Sequence, residues 1–169
     1  MNKDELATRV RQACYLEGEF VLRSGQVANF YFDKYMFETD PQLLSEVADR
    51  MVPLIPPGTE VLAGLELGGV PISTALSLRT GLPQVLVRKE AKTYGTAKLA
   101  EGLAVDGREV LVVEDVITTG GQVAASVREL RQRGARTSTV LCAIDRRQGP
   151  DQLGDLALVA LFTLVDLMP

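Results

Sequence analysis

From Glu60 to Asp145 the sequence repeats one pattern: an apolar stretch, a glycine-bearing turn, then a segment of helical period. EVLAGLE runs through Leu67-Gly68-Gly69 into VPISTALSLRTG, and PQVLVRKE follows. REVLVVEDV then runs through ITTGGQ into VAASVRELRQRG, and ARTSTVLCAID closes the series. Strands alternating with helices predict an α/β fold, a central parallel sheet flanked by helices, because parallel neighbours need a long crossover between them. The run VLVV is apolar without alternation, as suits a strand buried on both sides.

The flanking segments read differently. Asp4 to Leu16 carries apolar residues at helical spacing. FVLRSG and NFYFDKYMF, between Glu19 and Phe37, are rich in aromatic and β-branched residues around a Ser-Gly turn, which predicts two short strands. Thr39-Asp40-Pro41 starts a helix that QLLSEVADRMVPLI continues and Pro56-Pro57-Gly58 ends. Between Val87 and Gly107 the stretch is charged and holds three glycines, which predicts a mobile loop followed by a short strand. No internal repeat, low-complexity tract or polar linker divides the 169 residues, so one domain is expected.

Composition narrows the chemistry. With 46% apolar residues the chain can build a real core, and its net charge of −4 leaves no general positive field for a polyanion such as DNA. Cys14 and Cys142 are too few for a disulfide framework or a metal cluster, and their apolar neighbours predict buried free thiols. The charged start, MNKDELATRVRQ, lacks the apolar core of a secretory signal, so a cytoplasmic protein is expected. Leu156 to Val165 is about half the length needed to cross a bilayer and is expected in the core. Histidine is absent, which excludes Ser-His-Asp and Cys-His triads, His-ligated zinc and imidazole acid–base catalysis.

The reactive groups gather at VLVVEDVITTGGQ, residues 110–122. An apolar strand ends in Glu114 and Asp115, and Thr118-Thr119-Gly120-Gly121 then turns the chain into a helix. Ligands of open α/β sheets bind at such strand ends. Backbone N–H groups of the two glycines, the threonine hydroxyls and the positive end of the following helix suit a monophosphate. The turn lacks the Gly-Lys-Ser/Thr ending of a Walker loop and does not match the dinucleotide fingerprint. Alternatively, Glu114-Asp115 could serve only as a capping pair ahead of a helix.

VLVVEDVITTGG resembles the signature of the type I phosphoribosyltransferases. In that family an acidic pair holds the ribose hydroxyls of phosphoribosyl pyrophosphate (PRPP), and the Thr/Gly loop holds its 5′-phosphate. LRSG, FYFDKY, GLELGGVP, RKEAKTYGT and the AIDR tail appear in the order seen in the orotate-specific branch, from Phe20 to about Arg146. The resemblance implies a small N-terminal hood over residues 1–38 that contributes to the base site, and a flexible catalytic loop over 88–98. It implies Mg²⁺, PRPP and orotate as reaction partners, and a homodimer in which Lys89 or Lys92 reaches across the interface.

By the same resemblance, PRPP would be held by Gly68, Gly69, Arg88, Lys89, Lys92, Tyr94 and the run Glu114, Asp115, Val116, Ile117, Thr118, Thr119, Gly120, Gly121 and Gln122. Lys92, Glu114 and Asp115 would be the catalytic groups. Arg23, Tyr31, Phe32, Thr118 and Arg146 would hold orotate, Arg146 through its carboxylate. No all-protein metal site is implied, because PRPP itself would carry most of the magnesium ligands. The chain departs from the common bacterial pattern in having Gly68 in place of Lys and Tyr94 in place of His. Two other readings stay open: transfer to another base, and a regulator that senses PRPP without catalysis.

Overall fold

The computed structural model describes residues 1–22, 25–89, 99–149 and 152–167. Helix α1 (Lys3–Cys14) begins with a capping box. The Asn2 side chain accepts the Glu5 N–H at 2.8 Å, and the Glu5 carboxylate accepts the Asn2 N–H at 2.9 Å. The helix stops two residues short of the expected Leu16, because Tyr15 and Leu16 are already paired with Phe32 and Tyr31. These pairs open an antiparallel hairpin of β1 (Tyr15–Val21) and β2 (Val27–Phe32).

The second expected strand ends at Phe32, short of Phe37. The Asp33 side chain accepts the Tyr35 N–H at 3.1 Å, and this local bond turns the chain into helix α2 (Tyr35–Thr39). Helix α3 (Pro41–Met51) starts as its sequence demands: Asp40 accepts the N–H groups of Gln42 and Leu43 at 2.8 and 2.9 Å, with Pro41 in the first turn.

The main sheet comprises β3 (Val61–Leu65), β4 (Gln84–Val87), β5 (Ala100–Gly102), β6 (Val110–Ile117), β7 (Thr139–Asp145) and β8 (Ala157–Thr163). Their spatial order is β5-β4-β3-β6-β7-β8. All neighbours run parallel except β5, which pairs antiparallel with β4 at one edge. Helix α4 (Gly69–Thr80) follows β3, and α5 (Gly121–Gln132) follows β6.

Side chains alternate across the sheet and build two cores. Leu62, Leu111, Val113 and Leu141 pack with Leu6 and Val10 of α1, Phe37 of α2, Val47 and Met51 of α3, and Ile72 and Leu76 of α4. Ala63, Val110, Val112 and Val140 pack with Val123, Val127 and Leu130 of α5. Cys14 and Cys142 are buried free thiols, one in each core. The 156–165 stretch supplies β8, with Leu161 and Phe162 buried. Among the described residues no helix is long and apolar enough to cross a membrane.

The strand order places the site. From β3 the chain goes outward to β4 on one side, and from β6 it goes outward to β7 on the other. The carboxyl ends of β3 and β6 therefore lie side by side where the winding reverses, the place at which open α/β sheets form a binding crevice.

Candidate active site

The two carboxyl groups at the end of β6 have unlike surroundings. Asp115 is 1% exposed, whereas Glu114 is partly open. Asp115 Oδ1 accepts the Val116 N–H at 2.5 Å, and Asp115 Oδ2 forms an ion pair with the Lys34 ammonium. Glu38, one helical turn beyond Lys34 on α2, brings a third carboxyl into hydrogen-bonding reach of Asp115. Burial alone would raise the Asp115 pKa, but hydrogen bonds from Glu38, Glu114 and Lys34 outweigh it and hold this carboxyl below its usual range.

Burial and the nearby Asp115 charge push Glu114 up to about 9 and Glu38 up to about 8. Asp115 is thus the favoured carboxylate of the cluster, paired with the Lys34 ammonium, while Glu114 and Glu38 are shifted toward their protonated forms. Burial alone would lower the Lys34 pKa, but its bond to Asp115 and the charge of that carboxylate prevail and raise it.

Gly68, at the turn after β3, lies directly on this cluster. A Cβ there would stand 1.7 Å from Asp115 Oδ2. Its backbone angles are helical, φ −69° and ψ −29°, so the need for glycine here is one of space. The adjoining Gly69 sits equally close to β6: a Cβ there would lie 2.3 Å from the Val113 carbonyl oxygen. The Glu66–Leu67 peptide is cis.

On the other side of the crevice, Thr118 and Thr119 lead into Gly120, which adopts φ +86° and starts α5 with no side-chain cap. A side chain at 120 would be strained and would also meet Leu153 at 2.7 Å. The turn is fixed from behind, since Gln152 N–H donates to the Thr119 carbonyl at 3.2 Å and Arg146 N–H donates to that of Ile117 at 2.8 Å. A helix start without a side-chain cap offers donors and a positive end to an anion.

A cavity of about 440 Å³ lies beside the acids. Tyr31, Phe32, Lys34, Val116, Thr118 and Arg146 line it. The Arg146 guanidinium stands 5.4 Å over the Phe32 ring, and Tyr31, 45% exposed, is not a core residue. An aromatic wall with a fixed guanidinium suits a flat anionic ring.

Arg88 and Lys89 follow β4 on the far side of Gly68. Arg88 Nε donates to Glu101 at 3.2 Å, and the Lys89 N–H donates to the Glu66 carboxylate at 3.2 Å. Lys89 and Gln122 line a second cavity of about 360 Å³. The expected Arg23, Lys92 and Tyr94 lie outside the described residues. Lys34 and Glu38 went unnoticed in the sequence, because reading DKYMF as strand hid their helical spacing of four.

A crevice at the reversal of the sheet, an acidic pair and a glycine turn that starts a helix together define the phosphoribosyltransferase class. Residues 44–158 match the phosphoribosyl transferase domain. An orotate phosphoribosyltransferase from Nocardioides sp. is 57% identical over 154 residues, covering 90% of this chain and 86% of that one. The crystal structure of Mycobacterium tuberculosis orotate phosphoribosyltransferase in complex with Fe(III) dicitrate superposes with a TM-score of 0.84 at 30% identity, covering 98% of each chain. That enzyme in complex with PRPP gives 0.79 at 28% identity and the same coverage. The chain belongs to the orotate phosphoribosyltransferase family.

Proposed function

We propose that this chain transfers the ribose 5-phosphate group of PRPP to N1 of orotate, giving orotidine 5′-phosphate and pyrophosphate. The observation that carries the reading is the continuity of the site: the Arg146–Phe32 cavity adjoins Thr118, and Thr118 opens the turn that starts α5. The N1–C1′ bond forms as the bond from C1′ to the pyrophosphate oxygen breaks, so positive charge develops on the ribose in between.

Each group has a distinct task. The 118–121 turn and the start of α5 hold the 5′-phosphate. Glu114, on the open side, meets the ribose hydroxyls. Asp115 holds the negative charge behind it, close to where the ribose becomes cationic. Arg146 grips the orotate carboxylate through paired hydrogen bonds, with Tyr31, Phe32 and Thr118 against the ring. Gly68 and Gly69 let backbone approach the pyrophosphate, and Arg88, Lys89 and Lys92 neutralise its charge. A homodimer in which Lys89 or Lys92 crosses to the neighbouring site completes the arrangement.

Among the described residues no group of three or more His, Cys, Asp or Glu gathers to hold a metal ion, and Asp115 is already paired with Lys34. A magnesium ion carried by PRPP would supply charge neutralisation at the departing pyrophosphate. The chain's own task is to bind and orient the substrate that carries it.

The test mixes the protein with orotate, PRPP and Mg²⁺ and follows loss of the orotate absorbance. PRPP-dependent loss with one pyrophosphate released per orotate is expected. Substitution Arg146→Ala should cut kcat/KM for orotate by about 10- to 100-fold, the loss of a charge-assisted bond. No loss of orotate by wild type, with PRPP bound, would support the sensing reading, and preference for a purine would support another base.

A further inference from the structure

The carboxylate cluster extends beyond the acidic pair into the hood, where it takes in Glu38 and Lys34, the latter also at the edge of the cavity beside the acids. We infer that Lys34 and Glu38 are positioning residues: from one face of α2 they fix the Asp115 carboxylate beneath Gly68, and so set the ribose end of the site from the hood. This rests on the PRPP-binding part of the reading above.

The geometry leaves little freedom. Asp115 Oδ2 is paired with the Lys34 ammonium, and it occupies the space that a Cβ at Gly68 would need. Glu38 is 5% exposed, and its Oε1 has no hydrogen-bond partner among the described residues. Apart from its ion pair with Lys34, Asp115 Oδ2 likewise lacks a hydrogen-bond partner among the described residues, and burying these two carboxyls close together favours the protonated form of one of them. The raised pKa of Glu38 agrees with its holding that proton as donor to Asp115. Asp33, Lys34, Glu114 and Asp115 are the charged or titratable groups that act on this part of the cluster.

Lys34, the cap of α2 with helical backbone angles, and Glu38 within α2 sit four residues apart, so both are turned toward Asp115. The Phe37 side chain between them is fully buried and anchors α2 in the core. The hood hairpin joins α2 directly through Asp33, whose side chain accepts the Tyr35 N–H and whose carbonyl accepts the Met36 N–H.

The test compares Glu38→Leu, Glu38→Gln, Lys34→Met and Lys34→Arg with wild type, using steady-state kinetics and calorimetric titration of PRPP alone. Glu38→Leu should raise the PRPP KM about tenfold or more and weaken PRPP binding equally, while the orotate KM stays within about twofold. Glu38→Gln should recover most of that loss, because an amide N–H can donate where the carboxyl donates. Lys34→Arg should likewise recover most of the PRPP affinity lost in Lys34→Met.

The inference is overturned if folded Glu38→Leu binds PRPP as wild type does, or if Glu38→Gln is as impaired as Glu38→Leu. Should Glu38→Leu fail to fold, the Lys34 pair decides: equal PRPP binding by Lys34→Met and wild type overturns it. A wild type that binds PRPP but transfers its ribose to a base other than orotate would refute the proposed reaction and leave this test intact, since PRPP titration needs no base.

Discussion

At the scale of single residues, the site depends on space and on where protons reside. Gly68 shows the first. Its backbone angles suit any residue, yet a Cβ would overlap Asp115 Oδ2. Gly68→Ala should therefore displace Asp115 and lower kcat/KM for PRPP about tenfold or more, with a lowered melting temperature as well, because the displaced carboxylate is buried and paired with Lys34. Unchanged kinetics in that variant would mean that Asp115 can move away at no cost. Lys92→Ala should lower turnover by orders of magnitude with the fold intact, as measured by initial rates and circular dichroism, if this lysine neutralises the leaving pyrophosphate.

Individual residues also show how much of the site was legible. Glu114, Asp115 and Thr118 could be picked out as candidates because each stands next to a recognisable pattern, an apolar strand end or a glycine turn, whereas Arg146 is implied only by the resemblance of the AIDR tail. The pairing of Lys34 and Glu38 with Asp115 could not. The partners lie about 80 residues apart, and only the packing of α2 against β6 brings them together. Nor could the sequence show that the two neighbouring acids would hold different charges, since burial and partners decide that.

At the scale of elements, α2 and the end of β6 behave as one titrating unit. Glu38 and Glu114 keep their protons up to about 8 and 9 in the folded chain, against ordinary values of 4.5. From about pH 4.5 up to about pH 9 the unfolded chain binds fewer protons at these groups than the folded one, so raising the pH weakens the fold. Below that window both states are protonated at these groups and the effect vanishes. Asp115 has the opposite sign: its pKa lies below 3.8, so its contribution is present above that value and is lost only on strong acidification.

The melting temperature should thus fall as pH rises from about 5 to 9, and Glu38→Gln should flatten part of the decline. A rise across that range would contradict the proton assignment. The elements themselves were legible where local chemistry decides them, as at Asp40-Pro41 before α3 and in the all-apolar β6. They were misread where a side chain intervened: Asp33 ends β2 and starts α2 through one hydrogen bond, against the aromatic, strand-like composition of NFYFDKYMF.

At the scale of the whole molecule, the function follows from the sheet's winding. Alternating strands and helices foretold the parallel sheet, but not its order, and the order brings the Gly68 turn to the Asp115 strand end. The antiparallel edge strand β5 returns the chain to β4 beside Arg88, whose N–H donates to the Leu99 carbonyl at 2.9 Å. The β1–β2 hairpin supplies Tyr31 and Phe32 to the wall of the cavity beside the acids. The hairpin, the Gly68 turn and the end of β6 are far apart in sequence, and the fold sets them close to the Asp115 cluster.

The central claim is that this crevice takes the activated sugar with its phosphate on the 118–121 turn and its ribose at the acids. A crystal structure of the protein with PRPP and Mg²⁺ tests it most directly. The account predicts the 5′-phosphate within hydrogen-bonding distance of the backbone N–H groups of residues 118–121, the ribose hydroxyls on Glu114, and Asp115 still paired with Lys34. A 5′-phosphate bound away from that turn, or a ribose that leaves Glu114 without contact, would contradict it.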